Sequence, residues 1–82
     1  MKLLLFKNSS CKTCQRQEEL LKQHRVQYVP LELFKNRDLA RRYGVTDVPT
    51  SLLVDNDNNV VKRYNFPLNS KQIENINVFL QN

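Results

Sequence analysis

The chain has 82 residues, a formal net charge of +5, one glycine, three prolines and two cysteines. That length suits a single domain spanning 1–82 with a small core, and the scarcity of glycine and proline argues against disorder or a turn-rich all-β fold. Two cysteines make at most one bridge, which excludes a disulfide-stapled scaffold, and the basic residues are spread along the chain without interleaved aromatics, which argues against a nucleic-acid partner.

The first predicted element is the apolar run Leu3–Phe6, consistent with a strand buried on both faces. It is too short for a signal peptide, whose apolar region needs ~7–15 residues, and nothing in the chain approaches the ~20 apolar residues of a membrane span. A cytoplasmic protein without a membrane partner is therefore expected. Ser9 and Ser10 offer an N-cap to a first helix on which Cys14, Gln17, Leu21 and His24 share a face, with Leu20 beside it. Val26–Leu33 reads as a second strand, placed at a sheet edge because Pro30 cannot donate a ladder hydrogen bond.

Asn36 is positioned to cap a second helix with Leu39, Ala40 and Tyr43 inward, and Gly44 to end it in the left-handed conformation. Thr50–Val54 and Val60–Tyr64 read as a hairpin around Asp55–Asn59, whose asparagines supply positive φ. Leu68 and Ile73 bracket an Asn69 cap as a hydrophobic staple for a last helix with Ile73, Ile76 and Leu80 inward. The order β-α-β-α-β-β-α predicts an α/β fold: a four-stranded mixed sheet flanked by helices. No apolar face is left over, so a monomer is expected.

Cys11-Lys12-Thr13-Cys14 holds both cysteines. Two thiols three positions apart can close a small disulfide ring and reopen it, and this pair follows a strand and opens a helix. The ring is too short to restrain the unfolded chain much, so chemistry explains it better than stapling. A closed zinc site needs four ligands, and the chain offers two cysteines and a single histidine, His24, at the far end of the helix. No metal is expected; two inert buried cysteines are the other bland reading. Attack on a disulfide requires a thiolate, and backbone N–H groups at a helix start, with Lys7 and Lys12 nearby, favour that charge at Cys11.

The pair, taken with the pattern Tyr43-Gly44-Val45-Thr46-Asp47-Val48-Pro49-Thr50-Ser51-Leu52-Leu53-Val54, resembles the thioredoxin superfamily over essentially the whole chain. The length is similar to that of its smallest members, the glutaredoxins and the glutaredoxin-sized redoxins that supply electrons to ribonucleotide reductase. The Tyr43–Val54 segment is closer to thioredoxin proper.

The resemblance implies a thioredoxin-like fold and a protein-disulfide reductase. Cys11 would be the nucleophile, Cys14 the resolving thiol and Cys11–Cys14 the redox-active disulfide, with no bound cofactor. It also implies a cis peptide before Pro49, and Val48 and Pro49 as a platform for an extended substrate strand. Lys12 and Thr13 lie between the cysteines, where the family tunes redox poise, and match neither its Gly-Pro nor its Pro-Tyr form. Phe66 stands near a glycine that thioredoxins place beside the substrate; there it narrows the groove, supplies an apolar contact, or merely packs before the last helix. Leu5 replaces the buried acid that assists the resolving thiol, Glu19 replaces a helix-kinking proline, and no tryptophan precedes Cys11. The Gly-Gly-x-x-Asp signature for glutathione is missing from Asn65–Asn69. Electrons are therefore expected from a thioredoxin reductase-like flavoprotein and NADPH, for delivery to disulfide-containing client proteins. The alternatives are a glutathione-dependent glutaredoxin and, in another class, a non-catalytic binding module on the same scaffold.

Overall fold

The computed structural model describes residues 1–81. Its elements are β1 (Lys2–Lys7), α1 (Lys12–Gln23), β2 (Val29–Glu32), a 3-10 turn (Leu33–Lys35), α2 (Arg37–Arg42), β3 (Thr50–Val54), β4 (Val60–Tyr64) and α3 (Ser70–Gln81). The four-stranded sheet runs β2-β1-β3-β4. Strand β1 pairs parallel with β2, Leu4 opposite Val29 and Lys7 opposite Glu32. It pairs antiparallel with β3, Leu5 opposite Ser51, and β3 pairs antiparallel with β4. The result is the mixed sheet the element order predicts, with Pro30 on an edge strand.

Side chains alternate across the central strands, as strand geometry requires. Leu3, Leu5 and Leu53 pack with Leu21 of α1 and with Ile73 and Ile76 of α3. Leu4, Phe6, Leu52 and Val54 pack on the opposite face with Ala40 of α2. A strand buried on both sides needs this unbroken apolar run, and Leu3–Phe6 supplies it.

Strand β2 begins three residues later than Val26, and the end of α1 explains why. His24 caps the helix, and Arg25 then takes a left-handed φ of 56°. The Arg25 N–H donates to Lys22 O at 3.0 Å, and the Val26 N–H donates to Leu21 O at 3.0 Å. That is a Schellman closure, and it commits Val26 to pack with Leu21 rather than to pair with β1. The same closure ends α2 with the expected residue: Gly44 has φ +67°, its N–H bonds Arg41 O, and the Val45 N–H bonds Ala40 O. Asn36 precedes α2 without capping it; its side-chain amide donates to Glu32 O instead, closing the 3-10 turn.

In the hairpin loop only Asn58 adopts positive φ. Asp55 organises the rest, its Oδ1 accepting from the N–H groups of Asp57 and Asn59. Helix α3 starts with a reciprocal cap: the Gln72 N–H donates to Asn69 Oδ1, and the Asn69 N–H donates to Gln72 Oε1. Among the described residues, no helix is long and apolar enough to cross a membrane.

Candidate active site

Strand β1 delivers the chain to a turn in which the Cys11 N–H donates to Asn8 O at 3.2 Å. That turn uses up Ser9 and Ser10, so neither caps α1. Cys11 is itself the N-cap, extended at φ −88° and ψ 108°, and its Sγ accepts from the Cys14 N–H at 3.1 Å. A sulfur thus stands where a serine or aspartate oxygen ordinarily satisfies a helix's first free donors. Cys11 and Cys14 are joined in a disulfide, their Cα atoms 5.2 Å apart.

The two sulfurs are not equivalent. Cys14 is 0% exposed, whereas Cys11 is half-buried at the rim. Lys12 and Thr13 are both exposed on the first turn between them. Lys7 does not lend the pair a free charge: its Nζ lies 2.6 Å from Glu18 Oε1 in an ion pair. The Tyr28 hydroxyl donates to the other Glu18 oxygen at 2.6 Å. Burial pushes the Glu18 carboxyl upward, but the bonds from Lys7 and Tyr28 and the Lys7 charge outweigh it and hold it below the ordinary range. The Tyr28 hydroxyl is pushed up, first by burial and then by its bond to Glu18 and that group's charge.

The Val48–Pro49 peptide bond is cis. Pro49 is buried, and Val48 is half-buried against the cluster on the α2 face of the sheet. Thr50 Oγ1 donates to Asp47 O at 2.6 Å and closes the loop at its base. Among the described residues, no hydrogen bond engages the N–H or C=O of Val48. Phe66 does not pack before α3; it is 57% exposed and lines a hollow with Tyr64, Val78 and Phe79.

The neighbourhood of Leu5, where the resemblance replaces a buried acid by an apolar side chain, is not purely apolar. Leu5 is fully buried, and Ser51 stands opposite it in register, on the same sheet face. Among the described residues, the buried Ser51 Oγ has no hydrogen-bond partner. One turn beyond Cys14, Gln17 is 2% exposed. Its Oε1 accepts from the Leu68 N–H, while its Nε2 has no partner among the described residues. Glu18 and Tyr28, which capture Lys7, and the hydrogen bond from the Leu68 N–H to Gln17 are what sequence reasoning passed over; the one available signal was a glutamine on an apolar helix face. Glu19 is exposed on an uninterrupted α1, and His24 caps its C-terminal end. Among the described residues, no three His, Cys, Asp or Glu side chains gather into a metal-binding group.

No protein-family profile and no curated protein matches the chain. Solved structures do. Thioredoxin 1 of the thermophilic eubacterium Thermosipho africanus superposes with a TM-score of 0.74 at 23% identity, covering 99% of this chain and 96% of that one. A mutant thioredoxin of Halobacterium salinarum gives 0.79 at 23% identity, covering 92% and 69%. Thioredoxin-2 of a malaria parasite gives 0.71 at 25% identity, covering 96% and 79%. The chain has a thioredoxin-like fold. That fold, with a Cys-x-x-Cys disulfide at the start of α1, supports a thiol redox function.

Proposed function

We propose that this protein reduces disulfides in client proteins through a Cys11–Cys14 dithiol. The observation that carries the reading is the asymmetry of the pair: a rim sulfur seated on a backbone N–H at a helix start, and a fully buried sulfur one turn behind it. In the reduced protein the Cys11 thiolate attacks a client disulfide. A Cys11–client S–S bond forms, the client's own S–S bond breaks, and one client sulfur leaves and takes up a proton. Cys14 then gives up its proton and attacks Cys11 Sγ. The Cys11–Cys14 bond closes and the second client sulfur leaves as a thiol, so two electrons have passed to the client.

Val48 offers its free N–H and C=O to an extended client segment, with Pro49 beside it, and exposed Lys12, Thr13 and Phe66 are assigned client contacts as well. Main-chain capture of this kind makes little sequence demand. A flavoprotein reductase using NADPH returns the electrons, since Asn65–Asn69 lacks the glutathione-holding signature. The clients are cytoplasmic, with an electron acceptor of the ribonucleotide reductase type as one candidate.

The test reduces a protein disulfide such as insulin, coupled in one arm to thioredoxin reductase and in the other to glutathione and glutathione reductase. Turnover in the first arm only is expected, with Cys11→Ser inactive and Cys14→Ser trapped as a mixed disulfide that dithiothreitol releases. Turnover only in the glutathione arm makes the protein a glutaredoxin. Function that survives Cys11→Ser makes it a binding module.

A further inference from the structure

From its geometry and charge, we infer that the cleft beside α2 is a docking subsite for an acidic client segment that carries an apolar side chain next to its carboxylates. The inference rests on the client-reductase reading above and names the chemistry of the client. The cleft encloses about 520 Å³, within the range of ligand sites. Leu33, Phe34, Arg37, Arg41, Val45 and Thr46 line it.

Its place in the fold ties it to the cysteines. Strands β1 and β2 are parallel and end level, Lys7 opposite Glu32. The Cys11–Cys14 turn leaves the end of β1, and Leu33 leaves the end of β2. Both lie outside the carboxyl ends of parallel strands, where open α/β sheets bind their ligands. Thr46, on the other wall, is two residues before Val48. Leu33 and Val48 pack on the same core cluster. A client strand seated on Val48 therefore has this cleft as its neighbour.

The charge is specific. Arg37 and Arg41 sit at i and i+4, one face of α2, and both border the cleft. Like charges at that spacing destabilise a helix. Among the described residues neither makes an ion pair. Asp38 lies on the same helix, and Asp47 follows the cleft wall, where Thr46 Oγ1 donates to its carboxylate. From Leu33 to Thr46 the chain carries Lys35, Arg37, Arg41 and Arg42 against Asp38 alone. The local excess makes up much of the chain's net charge of +5. Phe34, 55% exposed beside the arginines, supplies the apolar contact.

The experiment uses two synthetic peptide disulfides that differ only in a Glu-Leu-Glu or Gln-Leu-Gln stretch beside the cystine. Reduced wild-type protein should reduce the acidic peptide about fivefold faster at low salt, a ratio that falls as salt screens the charges. In Arg37→Gln/Arg41→Gln the ratio should drop to about one. In Lys2→Gln/Lys22→Gln, which removes equal charge from β1 and α1 at residues that do not line the cleft, it should persist. A wild-type ratio near one, or equal loss in both variants, overturns the subsite. A cysteine-free Glu-Leu-Glu peptide is also titrated into oxidised protein and followed by amide NMR. Shifts confined to Leu33–Thr46 and abolished by the arginine variant support the subsite, and their absence overturns it. If neither disulfide is reduced by any form, the client-reductase reading fails and this titration alone decides the cleft.

Discussion

Replacing Gln17 by Ala removes a side chain that ties the helix bearing Cys14 to the segment entering α3. Gln17 is 2% exposed, and its Oε1 accepts from the Leu68 N–H. Leu68 is itself buried. Stranding that N–H costs about 1–3 kcal/mol, and the one lost buried methylene adds roughly 0.8 kcal/mol. Losing Nε2, which has no partner among the described residues, returns about 1 kcal/mol. The net loss of about 1–3 kcal/mol is a large part of the ~4–12 kcal/mol expected for a domain of this length. At roughly 4–8 °C per kcal/mol, Tm should fall by roughly 5–20 °C. Gln17→Met is the control. It keeps the volume and removes the stranded donor, but it too leaves the Leu68 N–H without its acceptor, so it should cost about 0–2 kcal/mol, less than Gln17→Ala by the cavity contribution. Thermal unfolding of the oxidised proteins by far-UV circular dichroism reads both, and hydrogen exchange at Leu68 should speed up in each. A Tm loss under ~4 °C in Gln17→Ala, or an equal loss in Gln17→Met, would refute this division between cavity and hydrogen bond.

Two further outcomes are expected. Glu18 has a carboxyl held below its ordinary value of 4.5, so its contribution is present above that pH and is lost as pH falls through the lowered value. Glu18→Gln should therefore flatten the acid limb of a stability–pH curve; an unchanged limb would dismiss the Lys7–Glu18–Tyr28 cluster as its source. Arg25 occupies a left-handed position at φ 56°, a conformation that costs a side chain about 1 kcal/mol or more. Arg25→Gly should raise stability by about 0.5–1 kcal/mol in urea unfolding, and a loss would mean that the Arg25 side chain contributes more than its strained backbone costs.

Where a single interaction decides the local structure, the residues disclosed it. The apolar run Leu3–Phe6, the hairpin limits at Thr50–Val54 and Val60–Tyr64, and the Leu68–Ile73 staple were all legible, because periodicity and capping are written in adjacent side chains. So was the pairing of Cys11 with Cys14. The N-cap was misplaced because serine oxygens outrank sulfur by propensity, yet the turn that ends β1 consumes both serines and leaves the sulfur to accept the Cys14 N–H. The start of β2 was misplaced because a Schellman closure usually announces itself with glycine, and here an arginine makes it.

What could not be read depends on which groups the folded chain brings together from a distance. Lys7 looks like free positive charge beside the cysteines until α1 turns Glu18 toward it and Tyr28 meets the same carboxylate. Arg37 and Arg41 look like a solvated helix face until Leu33 and Thr46 close a cleft against them. The two cases show where this chain places its charge. The lysine on the strand leading to the dithiol is neutralised, while the arginines beside the groove have no ion-pair partner among the described residues. Salt should therefore act chiefly on the encounter with clients, through exposed charge, and much less on the attack of one sulfur on another, which rests on a backbone N–H and a buried thiol. Stopped-flow kinetics that separate the two steps should show a steep salt dependence in the second-order phase and a flat one in the closing of Cys11–Cys14; equal slopes would mean that the charge of Lys12, exposed between the cysteines, acts on the sulfurs as well.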